Sequence, residues 1–159
     1  MTELFETIQH MAIPTWVRES PSIFAYTFIL SAHAIGLAIV VGISSMIALR
    51  MAGIFRDFPV DPMLKLMPVA WTGFTINAIS GVLLLSANMT GMLSNPMFYF
   101  KMFFILIAMI AVSMIRRQFL AGKAESSRGL AWVILVTWFL AIVSGRLTSY
   151  PYLVQSWFA

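Results

Sequence analysis

The sequence predicts an all-α integral membrane protein: an up-down-up-down four-helix bundle with a short N-terminal interfacial helix. Three observations predict it. Sixty per cent of the 159 residues are apolar and only 10% are charged, against about 25% charged in ordinary soluble domains. A water-soluble domain of this length has no interior large enough to hide that much hydrocarbon. Four stretches are long and apolar enough to cross a bilayer core of about 30 Å, which takes about 20 helical residues. The connections between them are short and hold breakers or charges, so consecutive helices are expected as antiparallel neighbours. No internal repeat, low-complexity tract or second domain is visible, and residues 1–159 are read as a single transmembrane domain.

The first element is the opening "MTELFETIQHMAIPTWVRES". It lacks the basic start and the continuous apolar stretch of a cleavable signal peptide. Leu4, Phe5, Ile8, Met11 and Ala12 share one helical face, with Glu3, Glu6 and Gln9 elsewhere. This predicts an interfacial helix over about residues 2–13, ended by Pro14, with Trp16 at headgroup depth. Span one is expected over 22–49, span two over 66–87, span three over 97–115 and span four over 129–147. Pro21, Pro68 and Pro96 sit near span starts, where a missing amide proton costs least. "RMAGIFRDFPVDPMLK", "NMTGMLSNP" and "RRQFLAGKAESSR" separate the spans.

Orientation follows from the basic residues. Arg50, Arg56 and Lys65 follow span one, and Arg116, Arg117, Lys123 and Arg128 follow span three. Arg18, Lys101 and Arg146 belong to the opposite side. The expectation is a bacterial inner (plasma) membrane protein with both termini on the non-cytoplasmic side. The net charge of +4 is scattered over helix ends with no stripe or patch, so headgroup anchoring explains it and nucleic acid does not. The chain has no cysteine, which excludes disulfides, zinc–thiolate sites and iron–sulfur clusters.

"SAHAIGLAIVVG", residues 31–42, sets one histidine in a run otherwise apolar or small. At about 1.5 Å per residue, His33 lies roughly 16 Å from the outer end of its span, near the bilayer midplane. Asn77 in span two, Met109 in span three and Thr137 in span four fall at about the same depth. Nearer the outer surface, Lys101 opens span three and Arg146 closes span four, with Tyr26 and Asn88 close to that height. The two levels differ by about 10 Å of helical rise, close to the separation of a haem iron from its propionates. An imidazole at mid-depth is therefore a candidate metal ligand for a b-type haem, with Lys101 and Arg146 receiving the carboxylates. Gly36, one turn on, would let the flat macrocycle lie against the helix. With one histidine in the spans, a second ligand has to be Met109, Met89, Lys101, His10 folding inward, or His33 of another subunit; otherwise the iron is five-coordinate. The same cations suit a quinone, a lipid phosphate or the acidic N-terminal helix.

The bland explanations stand beside these. Lys101 and Arg146 can snorkel to the headgroups, among the aromatic belt of Tyr99, Tyr150, Tyr152 and Trp157. His33 and Asn77 can be interhelical glue, and Ala32, Gly36, Gly42 and Ser45 can simply let a second helix come close. Of the twelve methionines, Met89 and Met92 alone approach a metal-like pair, and two thioethers say little about copper. No Asp or Glu falls inside a span, which argues against an ion pathway. No nucleophile–base set or phosphate loop appears, which argues against hydrolysis and phosphoryl transfer.

His33, Gly36, Gly42, Arg50 and Gly53 at their spacing, with "NPMFYFKMFFILIAM" and "SGRLTSY", resemble a family of small bacterial four-helix membrane proteins. That family is known as a domain of unknown function, and the resemblance covers most of the chain. A histidine in the first span with a lysine opening a later one is more distantly similar to two other groups. These are the copper-resistance D membrane proteins and the haem-binding bacterial protoporphyrinogen oxidase. The last resemblance implies His/Lys haem chemistry at His33 and Lys101. The chain lacks that enzyme's additional histidines and tryptophan-rich first helix, so the enzyme's activity does not carry over.

Two functions are therefore expected, from different classes. One is a membrane subunit, homo-oligomeric or part of a larger complex, binding a b-type haem or quinone-like anion between His33 and the Lys101/Arg146 pair. The other is a non-catalytic structural subunit with no cofactor.

Overall fold

A computed structural model describes residues 2–22, 24–54, 57–120 and 128–150. Arg56, Lys123, Tyr152 and Trp157 lie outside the described residues. The described chain is helical throughout, in eight helices without a strand: α1 (Thr2–Gln9), α2 (Ala12–Glu19), α3 (Tyr26–Ala52), α4 (Val60–Leu64), α5 (Met67–Ala87), α6 (Met89–Leu93), α7 (Pro96–Leu120) and α8 (Arg128–Leu147). Four segments are long and apolar enough to cross a membrane, Tyr26–Ala52, Asp61–Ala87, Pro96–Ile115 and Arg128–Leu147. Their outer faces carry large apolar side chains. Phe28, Val82, Leu106 and Phe139 are 60–66% exposed, which an aqueous surface would not tolerate over so wide an area. The chain has the character of a multi-pass membrane protein.

The opening segment departs from expectation. It forms two helices that break at His10–Met11, and Pro14 lies inside the first turn of α2 instead of ending a helix. A first-turn amide has no intrahelical acceptor to lose, so proline is accommodated there. Pro14 and Val17 turn inward, while Met11, Ile13 and Trp16 stay exposed. Two further short helices, α4 and α6, occupy stretches expected as plain connections.

Local chemistry sets the ends of the long helices. Gly53 at φ 92° closes α3, and the Ile54 amide donates to the Leu49 carbonyl at 3.1 Å. Only glycine takes that left-handed conformation cheaply. At the start of α7, Asn95 Oδ1 accepts from the Met97 amide at 2.9 Å, with Pro96 as the first helical residue. Asn95 Nδ2 donates to the Thr148 carbonyl at 3.2 Å, which ties the start of α7 to the end of α8.

The long helices pack in the order α5, α3, α8, α7, and spans two and three share no comparable interface among the described residues. Contacts run in opposite senses along α3 and α5: His33 meets Asn77 and Gly81, whereas Ile39 meets Gly73. Ile47, Ile115, Ile134 and Trp138 centre a large apolar cluster of α3, α7 and α8. Val17, Ile29, Leu84 and Ala87 form a smaller one where α2 meets α3 and α5. The end of the spans carrying Arg50, Lys65, Arg117 and Arg128 is called the basic end below.

The α3–α5 crossing is nearly backbone to backbone. A Cβ added at Gly36 would stand 2.6 Å from the Gly73 carbonyl oxygen and 2.7 Å from the Asn77 amide nitrogen. At Gly42 it would meet nothing within 4 Å. Gly36→Ala should therefore cost about 1–3 kcal/mol through overpacking, and Gly42→Ala should be neutral. Unfolding in mixed micelles, followed by circular dichroism, measures the difference.

Candidate functional site

Span two presents Gly73, Asn77, Ser80 and Gly81 to span one, at the spacing of one helical face. The two glycines bring α5 within reach of the His33 ring, since a Cβ at Gly81 would stand 3.1 Å from His33 Cε1. The backbones are then close enough for a two-way exchange. Asn77 Nδ2 donates to the His33 carbonyl at 2.8 Å, and His33 Nδ1 lies 3.0 Å from the Asn77 carbonyl oxygen.

The neighbours of Nδ1 determine which ring nitrogen holds the proton. Ser80 Oγ, 3.2 Å from Nδ1, commits its own hydrogen to the backbone, to the Ile76 carbonyl at 2.6 Å or the Asn77 carbonyl at 3.1 Å. Nδ1 thus faces the carbonyl and the hydroxyl oxygen, with Asn77 Nδ2 farther off at 3.3 Å and already donating to the His33 carbonyl at 2.8 Å. The carbonyl at 3.0 Å can only accept, so the proton is assigned to Nδ1. The neutral ring then carries its lone pair on Nε2, which makes no hydrogen bond among the described residues. An imidazole held through Nδ1–H by a backbone carbonyl, with Nε2 free, has the arrangement that metal-ligating histidines use.

Lys101 is half-buried on α7, its stem over Gly145 of α8, where a Cβ would meet Cδ at 3.4 Å and Cε at 3.5 Å. Its ammonium makes no hydrogen bond or ion pair among the described residues, and it is near enough to His33 for the two to interact electrostatically. Arg146 goes elsewhere. It is exposed, its guanidinium carbon 5.5 Å from the Tyr150 ring centroid and Nη2 donating to the Tyr150 hydroxyl at 3.3 Å. One residue of helix turns a side chain by about 100°, so Gly145 faces Lys101 while Arg146 faces outward.

Three expected roles change. Gly36 leaves no room for a flat macrocycle, because α5 fills the space beside it. Met109 is buried among apolar side chains in the cluster of α3, α7 and α8. Arg146 does not join Lys101, because its exposed guanidinium lies by the ring and hydroxyl of Tyr150. Of the other expected residues, Thr137 is buried with its hydroxyl donated to Val133 one turn back at 2.6 Å. His10, Tyr26 and Asn88 are exposed, and Met89 is half-buried at the far end from the basic loops. Among the described residues no three His, Asp or Glu side chains gather as a metal site.

Sequence reasoning missed Ser80, Gly73, Gly81 and Gly145. The four-residue spacing Gly73, Asn77, Gly81 was a signal for the first three, since it lines up with His33 and Gly36 on the facing helix. It also missed Trp138, whose buried Nε1–H has no acceptor among the described residues. No family model, curated protein or solved structure matches the chain.

Replacing Asn77 by leucine keeps bulk but removes the donor to the His33 carbonyl. Asn77→Leu should cost about 0.6–1.7 kcal/mol, the range for interhelical polar contacts in membranes. Thr75→Leu should cost far less, because that exposed hydroxyl only bonds Trp71 of its own helix. Chemical denaturation in micelles compares the two.

Proposed function

We propose that this protein is an up-down-up-down four-helix bundle of the bacterial inner membrane, with both termini on the non-cytoplasmic side. In it His33 would hold a b-type haem through its imidazole, or serve as the polar contact for a quinone-like redox anion. The observation that carries this reading is the division of labour within the imidazole: Nδ1–H is held by the Asn77 carbonyl and Ser80, and Nε2 is left without a partner. Lys101 supports it as the counter-cation, being half-buried and unpaired among the described residues. The excess of Lys and Arg in the loops after spans one and three supports the orientation.

His33 offers a haem one ring nitrogen unbonded among the described residues, and a macrocycle held there would have to lie away from the Gly36 face, which α5 fills. Bound there, haem would supply one-electron chemistry at its iron. The protein's own part is to orient the ring, fix its tautomer and hold a positive charge near the carboxylates. A second imidazole would come from another copy of the chain, in keeping with a homo-oligomer or a subunit of a larger complex. The His/Lys pairing also accords with the distant resemblance to the haem-binding oxidase.

One observation favours the other class. The same contacts at His33 knit spans one and two across the Gly36–Gly73 crossing, which is what a non-catalytic scaffold subunit needs. An absorption spectrum separates the two. Protein purified in detergent from haem-replete cells should show a Soret band that shifts on dithionite reduction. His33→Ala should abolish the band and His10→Ala should leave it, with both variants still monodisperse. A colourless, folded preparation would leave the scaffold role.

A further inference from the structure

Spans two and three are consecutive in the chain yet share no extensive interface among the described residues. Between them at the basic end lies an open cleft of about 700 Å³, within the roughly 300–1,000 Å³ of small-molecule sites. Its walls are Leu64, Met67, Pro68 and Trp71 from the start of span two, with Ser113 of α7 facing them. Lys65 stands at its edge, at the junction of α4 and α5.

We propose that an anionic phospholipid occupies this cleft, its phosphate between Lys65 and Arg117 and one acyl chain against Met67, Pro68 and Trp71. Three features converge on that class of ligand. The cleft lies between two apolar helices, and its walls apart from Lys65 and Ser113 are apolar, which suits an acyl chain. Its one charged lining residue is a cation, and Lys65 makes no ion pair among the described residues, not even with Asp61 one turn earlier. Arg117 follows Ser113 by four residues in the same helix, which puts a second exposed cation on the same face, one turn nearer the membrane surface. Basic pockets between membrane helices hold anionic headgroups in this way, and the tryptophan supplies a rigid wall at interfacial depth. The proposal is independent of the His33 reading, because it uses none of the same residues.

Native mass spectrometry of the delipidated protein, titrated with phosphatidylglycerol or phosphatidylcholine, tests it. Phosphatidylglycerol should bind in a first, saturable step at least tenfold tighter than phosphatidylcholine. Lys65→Ala and Arg117→Ala should each weaken that step about fivefold, and the double variant about 25-fold, from about 1 kcal/mol per cation near the surface. Arg128→Ala, a cation at the same end that does not line the cleft, should change nothing. Lys65→Arg should restore the affinity, which guards against a folding artefact. Equal binding of the two lipids, or equal losses in Lys65→Ala and Arg128→Ala, would overturn the proposal. Displacement of the lipid by millimolar glycerol phosphate would overturn it in favour of a soluble phosphate ligand.

Discussion

His33 and Asn77 trade hydrogen bonds through each other's main chain: the amide of one reaches the other's carbonyl, and the imidazole returns the contact. Inside an apolar pair of helices neither side chain has water to turn to, and an unmet polar group there is costly. The exchange is available only because glycine stands at positions 36 and 73, so that the helix axes approach until carbonyl meets amide. Relative placement of spans one and two, the tautomer of the ring and the freedom of Nε2 all descend from that closeness. A change that pushes the helices apart removes all three together.

Along the same two helices the polar exchange separates two apolar regions. Ile29 and Leu84 pack under Val17 on one side, and the larger cluster begins at Val40 on the other. Span one is thus the element on which the rest is assembled, with span two on one flank and span four on another. Span four in turn carries span three, through the Asn95–Thr148 link and the seat that Gly145 gives Lys101. The contrast between Lys101 and Arg146 shows how local that seating is. Both are cations at the same end of the spans, yet a glycine lets one lie inward while a tyrosine one turn away draws the other out.

Length and hydropathy made the four spans legible within a few residues, because crossing hydrocarbon demands a long apolar run whatever the fold. Span one was the least well bounded, expected from Ser22 and found from Tyr26. The arrangement of the spans was much harder to read. Helices α3 and α5 are apolar on nearly every side, so no stripe distinguishes the packed face from the outer one. Depth counting did align His33 with Asn77. It could not tell that they touch, nor that Arg146 turns away, because rotation about the helix axis is decided by small residues on the neighbouring helix. Gly36 illustrates the limit: a small residue beside a histidine admits a cofactor or a second backbone equally well, and here the backbone takes the space.

The packing order has a consequence for how such a chain is made. Spans two and three leave the ribosome one after the other, yet each finds its main neighbour elsewhere, span two in the segment before it and span three in the segment after it. Helices inserted singly associate afterwards by close packing, so the first pair can mature while synthesis continues. The second pair must wait for span four. Span four is therefore the keystone, since its packing on span one is the main contact between the late pair and the early one.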